Sequence, residues 1–504
     1  MANHLFDRLL GHQATEDKIF IDVPGGRKIS FRTLHQESGQ VANALIGMGV
    51  EPGDRVAVQV DKSPEALAVY LGVVRAGAIF LPLNTAYTPS EVDYFIGNAA
   101  PRVFIGAPAK EDALEDIADA HDCRLETLAA DGSGSFWETV AAAEIDFDTV
   151  ARGPDDLAAI LYTSGTTGRS KGAMLSHDNL YDNSAVLKDY WGFTSDDVLL
   201  HALPIYHTHG LFVATNICLL AGASMIFFAK FDPDALVAEM PNATSMMGVP
   251  TFYTRLLRTP SFTREVAAPM RLFISGSAPL LAETHEQFSA LTGHAILERY
   301  GMTETNMNTS NPYDGDRRAG TVGFPLPGVE LRVADPDDGS VLGPNEIGVI
   351  EVKGSNVFKG YWQMPEKTAE EFREDGFFIT GDLGKVDADG YVTIVGRGKD
   401  LVISGGFNVY PKEIEEKIDD LPGVLESAVI GVPHPDFGEG VTAVVVADGS
   451  RDISDADIAA AISSDLAAFK RPKQIIFVDE LPRNTMGKVQ KNVLRDRYAD
   501  IYGD

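Results

Sequence analysis

The sequence predicts an α/β chain: a large N-terminal domain of mixed and parallel sheets with helices plus a small β subdomain, then a small α+β domain at the C-terminal end. Three observations predict it. Strand and helix signals alternate through about the first 300 residues, short strands between Gly and Pro turns follow, and a compact mixture of both begins near residue 400. With 504 residues, the chain is too long for one core, so at least two domains are expected.

Residues 55–60 read as a strand. Ser63, Pro64 and Glu65 then give an N-cap, a proline at the first helical position and an acid in the first turn of a helix running to about Arg75. Residues 78–81 are apolar again, and Thr88-Pro-Ser-Glu91 is a capping box opening another helix. Such alternation implies buried, mostly parallel sheets, and it resumes from about 155 to 300. Residues 328–333 and 348–352 read as the short strands of the β subdomain. Residues 411–418, 428–432, 441–446 and 453–468 read as the C-terminal unit. Between the two lies Gly396-Arg-Gly-Lys-Asp400, short and charged. The expected division is therefore 1–395, a hinge at 396–400, and 401–504.

The chain is 44% hydrophobic and 23% charged, a globular composition, and carries a formal charge of −31. Bulk electrostatics thus argue against nucleic acid or an anionic membrane as partner. Any phosphate it handles must meet a few locally concentrated Lys and Arg residues. Cys123 and Cys218 are the two cysteines, so no disulfide framework or Cys-based metal site follows, and a reducing cytoplasm fits. Residues 210–229 run without a charge for a length that spans a bilayer. Gly222 interrupts the run, and Thr215, Asn216 and Ser224 are polar, so it reads as a buried helix, a turn and a buried strand.

The most informative string is Tyr162-Thr-Ser-Gly-Thr-Thr-Gly-Arg-Ser-Lys-Gly172, which follows the apolar run 157–161. Its glycines let backbone approach an anion, its hydroxyls donate hydrogen bonds, and Lys171 brings charge. The spacing does not fit the Walker A pattern. The whole string is similar to the phosphate-binding loop of the adenylate-forming superfamily, which comprises acyl-CoA synthetases, firefly luciferases and peptide-synthetase adenylation domains.

The resemblance extends over most of the chain, in the family's order, and each residue role below is what it implies. Thr163, Ser164, Gly165, Thr166, Thr167, Gly168 and Lys171 would cradle the phosphates of ATP. Leu203-Pro-Ile-Tyr-His207 resembles the segment whose histidine lines the acyl pocket. Ser275-Gly-Ser-Ala-Pro279 resembles the loop beside adenine, giving Gly276, Ser277 and Ala278. Tyr300-Gly-Met-Thr-Glu304 matches a motif in which Thr303 meets phosphate and Glu304 holds Mg²⁺, with Glu298, Gly301 and Met302 alongside. Asp382 of Thr380-Gly-Asp382 and Arg397 would bind the ribose hydroxyls. Lys399 stands at the family's hinge, and Pro482-Arg-Asn-Thr-Met-Gly-Lys488 matches the C-terminal motif carrying the catalytic lysine.

The resemblance implies ATP, Mg²⁺ and coenzyme A as cofactors and a two-step reaction. A carboxylate attacks the α-phosphorus and expels pyrophosphate, with Lys488 stabilising the charge. The C-terminal domain then turns about Lys399, and the thiol of CoA takes the acyl group as AMP leaves. Ser404, Gly405 and Gly406 would face the acyl-adenylate and the pantetheine arm. Lys470 and Arg471 stand either beside a CoA phosphate or in a solvated basic turn.

Glu298-Arg-Tyr-Gly-Met-Thr-Glu304 resembles the malonyl-CoA synthetase branch of that family. An arginine beside the acyl pocket is unfavourable against a fatty or aromatic tail, but a guanidinium grips a second carboxylate with two hydrogen bonds. Arg299, with Arg255 in the helix expected over 251–258, is therefore the candidate for the distal carboxylate, with malonate first and methylmalonate a poorer substrate. A short-chain fatty or aryl acid ligase of the same superfamily is the alternative, and a non-catalytic acyl-adenylate sensor is the alternative of another class. Lys488 enters and leaves the site on each turnover, so a lysine acetyltransferase and a deacetylase are expected partners, acetylation removing the charge.

Overall fold

The order of strands in the largest sheet explains where a ligand can sit. In this computed structural model, residues 2–163, 170–336, 338–404, 407–463, 466, 468–484 and 487–503 are described. Within the largest sheet, Val198–His201, Ser245–Gly248, Leu272–Ser275 and Leu297–Met302 lie side by side and parallel. Parallel strands, buried on both faces, leave their carboxyl ends facing one crevice, where loops meet. A second sheet runs Arg124–Thr127, Val103–Gly106, Arg55–Gln59, Ile79–Pro82, Leu157–Thr163, Lys171–Ser176, parallel except for the last pair. One continuous apolar cluster, including Phe20, Val69, Tyr70, Trp191 and Phe212, packs between these layers.

The capping signals act where expected. Ser63 caps Pro64–Arg75 by accepting from the backbone of Ala66, and both halves of the Thr88/Glu91 capping box are formed. Residues 210–229 fold as anticipated, with one addition. The helix begins as a π-turn over His209–Thr215, in which the carbonyl of Thr208 accepts from both Phe212 and Val213 at 2.9 Å. It continues as Asn216–Ala221, stops at left-handed Gly222, and Ser224–Phe227 enters the sheet. Among the described residues, no helix is long and apolar enough to cross a membrane.

Beyond residue 320 the sheets are antiparallel except where Gln474–Phe477 runs parallel to Gly438–Ala447. Glu330–Ala334, Gly348–Lys353, Phe378–Val386 and Val392–Arg397 form one. The 3₁₀ turn Gly398–Asp400 follows, after which Val402–Ser404 and Phe407–Val409 belong to another sheet, built on the long pair Val424–His434 and Gly438–Ala447. That sheet has its own apolar core of Val402, Ile414, Val429 and Val441, covered by Pro411–Asp419 and Asp455–Ile462. Chain order and core membership therefore change together across five residues, 398–402.

Candidate active site

At the carboxyl end of Leu272–Ser275 the chain turns through Gly276, Ser277 and Ala278, and Ser277 adopts a left-handed backbone at φ 72°. A Cβ on Gly276 would lie 2.4 Å from the guanidinium carbon of Arg299, so only glycine lets the arginine lie there. Gly301 is fixed the same way, its missing side chain replaced by the carbonyl of Asn306.

Along Leu297–Met302 successive side chains point to opposite faces. Glu298 and Tyr300 share one face, and Arg299 takes the other. Glu298 is buried against His285 Nδ1 at 3.3 Å and accepts from the backbone of Gly320. Tyr300 donates to Asp382 at 2.6 Å, and Arg397 holds the other oxygen of that carboxylate at 2.9 Å. Asp382 and Arg397 are direct cross-strand partners, which is why two residues fifteen positions apart meet. The charge of Asp382 raises the Arg397 guanidinium against its burial.

Arg299 is only 4% exposed, and its Nε and Nη2 have no hydrogen-bond partner among the described residues. Burial lowers its pKa to about 9, so it is still a cation at neutral pH. His209 is buried near it, and its Nε2 also lacks a partner among the described residues, whereas Ser275, buried too, pairs in register with Glu298 and so shares that residue's face. His209 Nδ1 sits 3.3 Å from Ser277 Oγ, and burial, with the charge of Arg299 next, keeps the imidazole neutral. His209 is a residue that sequence reasoning passed over. His207, half-buried beside Tyr206, has its pKa lowered by burial to about 4 and is likewise neutral.

Arg255 is not brought to Arg299. On the helix Pro250–Leu257, Tyr253 turns inward, its hydroxyl donating to the carbonyl of Ile274. Two residues on, about 200° around the helix, Arg255 is exposed. It lines a cavity of about 470 Å³ with Lys62, Phe252, Arg483 and Gly487.

Glu304 is buried at the end of the same motif, with Thr303 half-exposed before it. Its Oε1 accepts from Thr163 Oγ1 at 3.3 Å and from the hydroxyl of Tyr361 at 3.1 Å, and burial raises its pKa. Lys171 is 7% exposed and ion-paired with Glu371 at 2.7 Å, above the ring of Tyr361 at 4.0 Å. No cluster of three metal-ligating side chains occurs among the described residues. One carboxylate suits Mg²⁺, which keeps most of its shell for water and phosphate oxygens, so Glu304 fits an ion that arrives with ATP.

Gly487 takes φ +73° and lies against Thr251, placing the C-terminal loop on the N-terminal crevice. Lys488 keeps contact with solvent, yet protein crowds its ammonium. That burial, with Arg397 and Lys399 adding like charge against the pull of Asp382 and Asp400, brings its pKa down to about 8. Asp400 pairs with Arg495 of the helix Lys491–Arg497, so the turn bearing Lys399 is tied to the C-terminal domain. Ser404 is buried in its sheet. Lys470 is held by both oxygens of Glu413 at 2.6 and 2.7 Å, and Arg471 by the carbonyls of Leu466 and Ser463, which engages both in the domain's own structure. Ser164, Gly165, Thr166, Thr167, Gly168, Gly405 and Gly406 lie outside the described residues.

The chain matches the AMP-binding enzyme family over residues 10–362 and the AMP-binding enzyme C-terminal domain over 413–488. It is 34% identical over 491 residues to a malonate–CoA ligase of Arabidopsis thaliana, covering 91% of this chain and 80% of that one. It is 36% identical over 480 residues to a feruloyl-CoA synthase of Amycolatopsis, covering 94% and 95%. Among solved structures, ATP-bound MatB from Rhodopseudomonas palustris overlays with a TM-score of 0.98 at 63% identity, covering 100% of both chains. The apo form of that protein overlays at 0.86.

Proposed function

This chain belongs to the AMP-binding enzyme family, and from that premise we propose that it makes malonyl-CoA from malonate, ATP and CoA by way of malonyl-adenylate. That it is an AMP-forming acid–CoA ligase follows from the family and its relatives.

The observation that carries the choice of malonate is Arg299. A buried guanidinium without an anion leaves a desolvation penalty of several kcal/mol uncompensated. An aliphatic or feruloyl tail packed there would leave that penalty standing. A distal carboxylate relieves it with two parallel charge-assisted hydrogen bonds, to which the unpartnered His209 Nε2 adds a donor. A pocket built to hold a charge rejects analogues lacking it far better than a hydrophobic pocket rejects an extra methylene.

The reacting carboxylate of malonate then attacks the α-phosphorus of ATP. One oxygen–phosphorus bond forms, the bond to the bridging oxygen breaks, and pyrophosphate leaves with its electron pair. Lys488 sets positive charge beside the phosphate as negative charge builds, while Asp382 and Arg397, locked together with Tyr300, receive the ribose hydroxyls. Glu304 would hold Mg²⁺, which offsets phosphate charge when bound. In the second step the thiol attacks the mixed anhydride and AMP leaves.

The test is AMP release with malonate, methylmalonate, acetate, butyrate, benzoate, coumarate and ferulate at equal concentration. Malonate is expected to be turned over at least ~10²-fold more efficiently than butyrate or ferulate. Equal or better turnover of either would assign the chain to the fatty or aryl acid ligases.

The domain division at 396–400 is part of the same proposal, since Lys488 cannot occupy the crevice while CoA reacts there. Lys399→Pro fixes one backbone angle in the turn that joins the sheet ending at Arg397 to the one beginning at Val402. Pyrophosphate exchange is expected to survive in that variant while thioester formation fails. A normal rate of thioester formation would remove Lys399 from the hinge.

A further inference from the structure

We propose that Glu371 is a positioning residue for the nucleotide: one oxygen holds the Lys171 ammonium and the other holds the Tyr361 hydroxyl against Glu304. The proposal rests on the reading of Lys171 and Glu304 as ATP-site groups. Glu371 itself meets neither phosphate nor metal in this arrangement, and acts through its two partners.

The geometry divides the work between backbone and side chain. Backbone contacts dock the two segments: Trp362 donates to the carbonyl of Gly172 at 2.8 Å, and Tyr361 bridges to Ala173. The main chain of Glu371 is anchored separately, its carbonyl accepting from Ile379 at 2.8 Å. None of these contacts needs the Glu371 carboxylate. That carboxylate makes a different set, with Oε1 2.7 Å from Lys171 Nζ and Oε2 2.6 Å from the Tyr361 hydroxyl. The same hydroxyl lies 3.1 Å from Glu304 Oε1, which Thr163, at the start of the phosphate loop, also reaches at 3.3 Å. Lys367 adds a second cation 3.4 Å from Oε1.

Two consequences follow. A lysine on four rotatable bonds is a diffuse charge until something fixes it, and its ammonium has three donors. With one donor on Glu371, the others are held in place for phosphate oxygens without further loss of side-chain freedom. The phenol has one proton to share between two carboxylates. Glu371, at 2.6 Å, makes the stronger contact and fixes the phenol, while Glu304, at 3.1 Å, makes the weaker one beside its contact with Thr163.

The test is MgATP affinity by calorimetry, with malonate-dependent pyrophosphate exchange beside it, for wild type, Glu371→Gln, Lys171→Met and the double variant. Glu371→Gln keeps the shape and removes the charge. It is expected to weaken MgATP binding about 10- to 100-fold, the range of a lost charged hydrogen bond. The KM for malonate, and thioester formation from synthetic malonyl-adenylate, are expected to stay within about twofold of wild type. In the Lys171→Met background Glu371→Gln is expected to add less than about threefold, because its route through the lysine is gone. Unchanged MgATP affinity in Glu371→Gln, tighter binding, or fully additive losses would overturn the proposal. If Glu371→Gln does not fold, Tyr361→Phe reads the same contact from the other side, and unchanged MgATP affinity there overturns it equally. Weakened MgATP binding in a protein that shows no malonate-dependent exchange would count against the malonate assignment alone.

Discussion

Lys488→Ala is expected to abolish malonyl-adenylate formation while leaving thioester formation from synthetic malonyl-adenylate close to normal. The loss comes from one charge. In the structure Lys488 reaches the crevice from the C-terminal loop, near Arg397, Asp382 and Asp400. Removing a preorganised group at a developing anion costs about 3–4 kcal/mol, or roughly 10²–10³ in rate. The attacking malonate is itself an anion approaching a polyphosphate. Two like charges 4 Å apart repel by about 4 kcal/mol at an effective dielectric near 20, so the lysine offsets repulsion of that order. In the second step the thiol attacks the acyl carbon after pyrophosphate has left, no carboxylate has to approach a polyphosphate, and the lysine has no such task. Acetyl-lysine installed at 488 removes the same charge and is expected to match the alanine variant in the same assay. Equal losses in both half-reactions would contradict the role. Near-normal AMP formation by the acetylated protein would leave Lys488 a surface lysine.

Arg299→Ala is expected to raise the KM for malonate by far more than it alters MgATP binding. Losing a bidentate pair to a desolvated carboxylate costs about 2–5 kcal/mol, much of it from the charge left without a partner. In the free protein the substitution removes a buried cation that has no carboxylate of its own among the described residues, so the folded state itself should gain rather than lose stability. Affinity and melting temperature are thus expected to move in opposite directions, a signature that general damage to the pocket does not produce. Arg255→Ala, on the exposed side of its helix, serves as the comparison. If both variants keep full preference for malonate over butyrate, the dicarboxylate pocket lies elsewhere.

Much of the fold was legible because local signals coincided with buried periodicity. Ser63-Pro64-Glu65 and Thr88-Pro-Ser-Glu91 fix helix starts through contacts three residues apart, a range that sequence spacing reports directly. Gly222 ended the helix within the uncharged run at a left-handed turn for the same local reason. The π-turn at His209–Thr215 was not legible, since it depends on one carbonyl accepting two donors within a packed crevice. The candidate site divides along the same line. Asp382, Arg397 and Tyr300 sit in strings that resemblance identifies, and the structure brings them within hydrogen-bond distance. Glu371 stands 200 positions from Lys171, and no spacing rule connects them. Helical phase separates Arg255 from Arg299, because Tyr253, not Arg255, occupies the inward face. Lys470, a basic residue in a basic turn, gave no sign that Glu413 would hold it.

The central claim is that this chain activates a small dicarboxylate as its adenylate before CoA is needed. Exchange of labelled pyrophosphate into ATP, without CoA, measures that step alone. Rapid exchange with malonate, little with butyrate or ferulate, and its collapse in Arg299→Ala and Lys488→Ala are the expected results. Exchange that is faster with butyrate or ferulate, or that is absent with malonate until CoA is added, would contradict the account.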